Sequence, residues 1–178
     1  MRLFRKYDKF AEERPFLCTI TSLGTIMGLG DVLMQKIEQL QNREQLFSKS
    51  RAFFMTIFGS FIYGPFAAVW YVKFLPAVAP MPPGQPSLAQ VTKKVVLDET
   101  IESWYAHITF LYGMTMLEGG TRQEATAKLK KDFWRIYKAD LMVWPFVQFA
   151  NFYFIPIHLQ AVLASVVSVF WAAYLSYV

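Results

Sequence analysis

Charged residues are scarce in this sequence of 178 residues: Asp, Glu, Lys and Arg make up 17% of it, against about 25% in an average soluble protein. Hydrophobic residues make up 54% of the chain and aromatic residues 17%. A chain of this size cannot bury so much apolar surface within itself, so lipid is its natural solvent. We therefore predict an integral membrane protein with one domain that covers residues 1–178.

Cysteine and the common catalytic motifs are almost absent as well. Cys18 is the single cysteine, which excludes an internal disulfide and a cysteine-based metal cluster. The sequence has no HExxH, no GxSxG and no glycine-rich phosphate loop. His107 and His158 lie in different segments without a carboxylate or second histidine at ligand spacing, so we predict structural roles for both. We expect no enzyme, no cofactor and no metal, although an intramembrane acid–base pair is the enzymatic alternative.

The basic residues give a net charge of +5, but they flank apolar runs and form no face of their own. This placement is typical of membrane proteins, whose Lys and Arg side chains reach the lipid headgroups. We therefore expect membrane lipids as partners and no nucleic acid. The first 15 residues mix bases with acids, unlike a cleavable targeting peptide, and are predicted to be an interfacial lead-in.

Four apolar runs predict transmembrane helices, because about 20 helical residues cross about 30 Å of hydrocarbon. They cover about 15–35, 52–72, 90–117 and 157–177. Thr121 and Glu124 have the spacing of a capping box and begin an amphipathic helix, about 121–140, that is predicted to lie in the interface. Residues 141–155, interrupted by prolines, are predicted to form a broken or re-entrant segment. The predicted fold is an all-α membrane bundle whose sidedness the loop charges leave open.

Small residues spaced by four let membrane helices approach closely, because little hydrophobic drive acts between helices in lipid. Such spacing occurs in the first, second and fourth predicted spans. The residues are Gly24, Gly28, Ser60, Gly64, Ala164, Ser168, Ala172 and Ser176. These faces either hold the monomer together or form a seam between two copies.

Polar residues inside the predicted spans are the candidate site. Asp98 and Glu102 project from one helix face with Lys94, and charges at membrane depth by default mark a water path or a functional site. The alternative is a simple Lys94 and Asp98 pair at headgroup level. Gln148 and Asn151 share another stripe and need hydrogen-bond partners or a wet cavity. The candidate pore or polar network is Asp31, Gln35, Lys94, Asp98, Glu99, Glu102, Gln148 and Asn151.

Motifs along nearly the whole chain resemble those of the Mpv17/PMP22 family of small four-span organelle membrane proteins. Besides polar residues already named, the residues that carry the resemblance are Gly30, Arg51, Pro65, Trp70, Tyr71, Trp144, Pro145, Phe152, Ile155, Pro156, Trp171 and Leu175. Four positions depart from the family pattern. Glu99 replaces a common glutamine, Trp104 a proline, Gln160 an arginine and Ala68 a histidine. The charge changes make this chain more acidic around any pore.

The resemblance implies a multi-pass protein of the mitochondrial inner membrane, or alternatively of the peroxisomal membrane. It also implies a small, weakly selective channel or a role in inner-membrane homeostasis. The alternative function is that of an accessory structural subunit packed against a larger inner-membrane complex. Either role is compatible with a homo-oligomer, and the transported species stays open.

Overall fold

The chain folds into a bundle of long helices, which confirms the predicted all-α class. The structure is a computed structural model that describes residues 2–41, 46–81 and 87–175. Within these ranges there are six helices and no strand. They are α1 (Arg2–Glu13), α2 (Pro15–Gln41), α3 (Lys49–Val78), α4 (88–117), α5 (Arg122–Phe154) and α6 (Ile157–Leu175).

Helices α2 and α3 are long and apolar enough to cross a membrane, and they contain the first and second predicted spans. Helix α4 is as long as α3 but carries charged residues in its first half. Helix α6 contains a shorter apolar stretch, Ile157–Trp171. The number of four spans therefore stays a prediction, and most of the proline-rich loop, 82–86, lies outside the described residues.

Helix α5 corrects the prediction that an interfacial helix, 121–140, is followed by a separate broken segment, 141–155. The two form one helix of 33 residues, about 50 Å long and therefore longer than the hydrocarbon core. Pro145 lies inside it without ending it, because neighbouring backbone bonds continue past the single donor that proline removes. The capping box is confirmed, since the backbone N–H groups of Thr121 and Glu124 each donate to the other's side chain.

The break between α5 and α6 falls at Ile155 and Pro156. Ile155 has extended backbone (φ −99°, ψ 133°), as expected for a residue that precedes proline. Residues 141–175 are therefore two helices and not one straight rod.

Three stretches of π-helix widen the bundle's helices locally. Two lie in α3, at Phe58–Tyr63 and Trp70–Phe74, and one lies in α4, at Asp98–Glu102. In α3 each stretch is followed two residues later by a proline, Pro65 or Pro76. Widening relieves the clash between a proline ring and the carbonyl of the preceding turn. Such π-turns are frequent at functional sites.

Glycine allows α2 to approach its neighbours closely. A Cβ atom on Gly24 would lie 1.9 Å from Ser60 Oγ of α3, and one on Gly28 would lie 2.1 Å from Thr56 Oγ1. On the other side of α2, a Cβ atom on Gly30 would lie 2.6 Å from Val169 Cγ2 of α6. Helix α2 is thus packed between α3 and α6, and larger residues at these glycines would push the helices apart.

Candidate functional site

The first polar group, here called the arginine cluster, consists of Asp31, Gln35, Glu38 and Arg51 at the junction of α2 and α3. Arg51 Nε donates to Asp31 Oδ1 at 2.6 Å, and its two terminal nitrogens donate to Glu38 at 2.8 and 3.0 Å. The Asp31 side chain is 4% exposed, so burial makes its charge depend on the guanidinium. A planar fork of donors suits two carboxylates held in this way.

Gln35 extends the arginine cluster to the start of α3. Its amide nitrogen donates to Asp31 Oδ2 at 2.7 Å and to the carbonyl of Ser48 at 2.9 Å. Its amide oxygen accepts from the backbone nitrogen of Ser48 at 2.6 Å. Ser48 in turn caps α3 through its hydroxyl, which accepts from the backbone nitrogen of Arg51. The arginine cluster therefore fixes the position of the start of α3 relative to α2, which is a structural role.

The second polar group, here called the acidic cluster, consists of Asp98, Glu99, Glu102 and Asp140, each less than a tenth exposed. The π-turn of α4 holds the first three. Trp70 Nε1 donates to Asp98 Oδ1 at 2.8 Å, and the Gln148 amide donates to Asp98 Oδ2. Neutral donors from α3 and α5 therefore hold this carboxylate.

The other acids of this cluster are held less completely. Tyr63 donates its hydroxyl to Glu102. Glu99 Oε2 and Asp140 Oδ1 are buried and have no hydrogen-bond partner among the described residues. Within residues 2–41, 46–81 and 87–175, no salt bridge joins Lys or Arg to any of these four carboxylates. Buried carboxylates without such partners are costly unless a cation, a proton or water meets them.

His107 contacts the acidic cluster through Asp140. Its Nδ1 lies 2.5 Å from the carbonyl oxygen of Ser103, which can only accept, so Nδ1 carries a hydrogen. Its Nε2 lies 2.5 Å from Asp140 Oδ2, and a hydrogen bond there requires a second proton. Either the imidazole is charged or Asp140 is protonated, so this contact holds one exchangeable proton.

Amide side chains satisfy the backbone where α5 breaks. Asn151 Nδ2 donates to Gln148 Oε1 at 2.9 Å and to the carbonyl of Gln160 at 3.1 Å. Gln160 Nε2 donates to the carbonyl of Ile155 at 3.0 Å. Gln148 and Asn151 are 2% and 0% exposed, so both amides point into the protein. A broken helix is tolerated in a membrane when its freed carbonyls find such partners.

Lys94 departs from its expected pairing with Asp98. The residue is 2% exposed, and its ammonium lies 5.9 Å from the centre of the Phe152 ring. Among the described residues, no ion pair joins it to Asp98, whose oxygens are taken by Trp70 and Gln148. The simple pair at headgroup level is therefore not formed.

A cavity of about 550 Å³ lies between the helices and borders both clusters. Of the predicted network, Gln35, Lys94 and Asn151 are not part of the cavity wall. Its acidic lining residues are Asp31, Glu38, Asp98, Glu99, Glu102, Glu118 and Asp140, and its Lys and Arg residues are Arg51 and Lys128. Gln148, Trp144 and Trp171 also line it. The wall is acidic on balance.

The small-residue stripe of α6 lies partly on this cavity. Ala164 and Ser168 line it, and Ser168 donates to the carbonyl of Ala164 within the helix. The close approach of α6 to α2 is made at Val169 and Gly30 instead. The Ala172 side chain and Ser176 lie outside the described residues.

Sequence reasoning missed several partners in these clusters. Glu38, His107 and Asp140 were not in the predicted network, and Trp70 and Tyr71 were named only as family motif residues. Tyr71 accepts from the Gln148 amide through its hydroxyl at 2.7 Å. These contacts join distant parts of the chain, so local spacing carries no signal for them. Each histidine also meets an aspartate, His107 with Asp140 and His158 with Asp8.

Helices α2 and α3 are long and apolar enough to cross a membrane and border an acidic cavity, an arrangement typical of polytopic integral membrane proteins. The profile of the Mpv17 / PMP22 family matches residues 115–176. The mitochondrial inner membrane protein Mpv17 of Danio rerio is 32% identical over 175 residues, with 98% of this chain and 96% of that protein covered. The Rattus norvegicus protein of the same name is 29% identical over 177 residues (99% and 97%). Protein sym1 of Schizosaccharomyces pombe is 29% identical over 190 residues (98% and 90%).

The three relatives match nearly the whole chain. The chain therefore belongs to the Mpv17/PMP22 family. It is a protein of the mitochondrial inner membrane, the location that the names of its relatives give. The family also includes peroxisomal membrane proteins. No solved structure matches the fold.

Proposed function

We propose that this protein forms a small, weakly selective channel that prefers cations and conducts through the central cavity. The observation that carries the proposal is the wall of the cavity, where buried carboxylates of the acidic cluster have no Lys or Arg salt bridge among the described residues. Rings of carboxylates favour cations in a pore. The proposed role is conduction and not catalysis.

The length of the cavity supports conduction. Its lining residues follow α3 from Arg51 to Tyr71 and α5 from Lys128 to Gln148. Each of these stretches rises about 30 Å, because an α-helix advances about 1.5 Å per residue. That distance is close to the thickness of the hydrocarbon core. A cavity bounded over such a length is long enough to connect the two faces of a membrane.

The balance of charge supports cation preference. Arg51 already binds Asp31 and Glu38, so its charge is neutralised locally. Lys128 is the other permanent base of the wall. The acidic cluster keeps four carboxylates near one imidazole, and a hydrated cation stabilises such a group more than an anion does.

Reconstitution into planar bilayers tests the proposal. The purified protein should conduct, and its reversal potential in asymmetric KCl should lie towards the potassium equilibrium potential. Asp98→Asn combined with Glu102→Gln should move the reversal potential towards zero. The matched control is Asp132→Asn with Glu13→Gln, which removes the same two charges from positions outside the cavity wall.

Folding of each variant should be checked by size-exclusion chromatography and thermal melts in detergent. If folded protein gives no conductance in the bilayer, the channel proposal is wrong. If both double variants have equal reversal potentials, Asp98 and Glu102 do not set the cation preference. The alternative role, an accessory subunit, predicts instead that the protein runs within a large complex on a native gel of mitochondrial membranes. A homo-oligomer would run as a small multiple of the 20.6 kDa chain.

A further inference from the structure

We propose that Asp8, Glu12 and His158 form a binding site for a divalent transition-metal cation, best matched by zinc, that joins α1 to the start of α6. The site is distinct from the cavity and independent of the channel proposal. It also departs from the expectation, drawn from local spacing alone, that His158 is structural and that no metal is bound.

The geometry brings three ligand types together from opposite ends of the chain. One ligand atom from each residue lies within 4.8 Å of the other two. His158 Nε2 is 2.9 Å from Asp8 Oδ1, and Asp8 and Glu12 are one turn apart on α1. Zinc bonds of about 2.0–2.2 Å in a tetrahedral arrangement place ligand atoms about 3.3–3.5 Å apart. Small side-chain rotations therefore suffice to bind the ion.

Among the described residues, no salt bridge with Lys or Arg neutralises the two carboxylates of this site. A single imidazole supplies at most one positive charge against two carboxylates. Lys9, on the same helix, contacts Glu13 at 3.7 Å. A divalent cation would neutralise both carboxylates, which otherwise repel each other across one helical turn.

The helix that carries the two carboxylates is held in place without the metal. Ala11 is fully buried, and the hydroxyl of Tyr7 lies 2.8 Å from Ser22 Oγ of α2. These contacts fix the rotation of α1, so the ligands need little ordering when an ion binds. The Asp8 side chain is 39% exposed and that of His158 is 13% exposed. An ion can therefore enter without opening the bundle.

The ligand set selects the kind of ion. Calcium and magnesium prefer sites made wholly of oxygen. One imidazole nitrogen with two carboxylate oxygens suits zinc and its neighbours among the transition metals, and leaves one position for water. Magnesium should therefore bind much more weakly than zinc here.

Thermal unfolding of the untagged, full-length protein in detergent tests the site, with ZnCl2 or MgCl2 added after treatment with a chelator. Zinc should raise the Tm in a saturable way and magnesium should not, because a ligand that binds only the folded state stabilises it. Glu12→Gln should weaken zinc binding at least about tenfold, since even outer-shell partners of a metal affect affinity by that much. Glu13→Gln, on the next residue, should behave as wild type.

A spectroscopic readout separates a true site from a packing effect. Cobalt(II) added in place of zinc should give visible absorption bands that His158→Gln removes and Glu13→Gln keeps. The proposal is overturned if zinc leaves the wild-type Tm unchanged, or if Glu12→Gln responds to zinc as the wild type does. The second result would mean that zinc binds without Glu12, and therefore not at the proposed three-residue site. The Glu12 side chain is exposed to solvent, so the Glu12→Gln variant should fold.

Discussion

The arginine cluster and the acidic cluster border the same cavity but differ in how their carboxylates are held. In the arginine cluster, one guanidinium binds Asp31 and Glu38 directly. In the acidic cluster, neutral donors such as Trp70, Tyr63 and Gln148 hold the acids. The partners of a buried carboxylate therefore decide its role. A carboxylate that is paired with a guanidinium stabilises the fold, whereas one that is held only by neutral donors keeps a charge that an ion can neutralise.

Removing the base of the arginine cluster should have the largest effect on stability. Arg51→Met removes the guanidinium that binds both Asp31 and Glu38. Breaking a fully buried pair costs about 3–5 kcal/mol, and because the Arg51 side chain is 32% exposed we expect about 2–3 kcal/mol. Unfolding titrated with SDS in mixed micelles measures this free energy.

The control for this prediction is Arg135→Met, which removes an arginine that is 78% exposed and lies 3.4 Å from Asp132. Such a surface pair contributes little, so its loss should change the free energy of unfolding by less than about 1 kcal/mol. Equal losses in the two variants would show that the arginine cluster does not brace the fold.

Removing the bridging amide of the acidic cluster should have the next largest effect. Gln148→Leu takes a donor from Asp98 and from Tyr71, and an acceptor from Asn151. Interhelical hydrogen bonds in membranes are individually modest, so we expect a loss of about 1–2 kcal/mol. Gln123→Leu, at an exposed position of the same helix, should be nearly neutral in the same titration. If both variants unfold like wild type, the amides do not hold the break in α5.

Removing one neutral donor should have a smaller effect. Trp70→Phe keeps most of the ring that packs between Phe66 and Phe74 and loses the 2.8 Å bond to Asp98. We expect a loss of about 0.5–1 kcal/mol. Trp134→Phe provides the control, because Trp134 is 54% exposed. A larger loss for Trp134 than for Trp70 would contradict the proposed support of Asp98.

Much of the fold could be predicted because its signals are local. Runs of about 20 residues with little charge located α2 and α3, and the rule that proline removes a backbone donor and interrupts a helix located the break at Ile155 and Pro156. The same rule over-predicted a break at Pro145. A proline within a long helix costs one hydrogen bond, and packing on both sides keeps the helix together.

The π-turns could not be predicted from hydrophobic periodicity, which assumes a single helical repeat. They nevertheless follow a pattern: Pro65 and Pro76 each lie two residues after a π-turn. Trp104 lies two residues after the third π-turn, so a π-turn also forms in α4 without a proline at that spacing.

Part of the candidate site could be predicted from the free-energy cost of burying polar groups in a membrane. Asp98, Glu102 and Gln148 stood out because polar groups at membrane depth need partners. Their partners did not, since Tyr63 and Tyr71 are ordinary residues of an apolar run until the helices pack. The contact between Asp8 and His158 illustrates the same limit, because 150 residues separate them.

The most direct test of a pore lined by the acidic cluster is the reversal potential of Glu99→Gln in reconstituted bilayers under asymmetric KCl. Glu99 Oε2 has no partner among the described residues, so the substitution should leave the free energy of unfolding nearly unchanged. If the acidic cluster lines the pore, the reversal potential moves towards zero in this variant and stays at the wild-type value in Glu13→Gln. Identical reversal potentials in wild type and Glu99→Gln, with both folded and conducting, would contradict a pore lined by the acidic cluster.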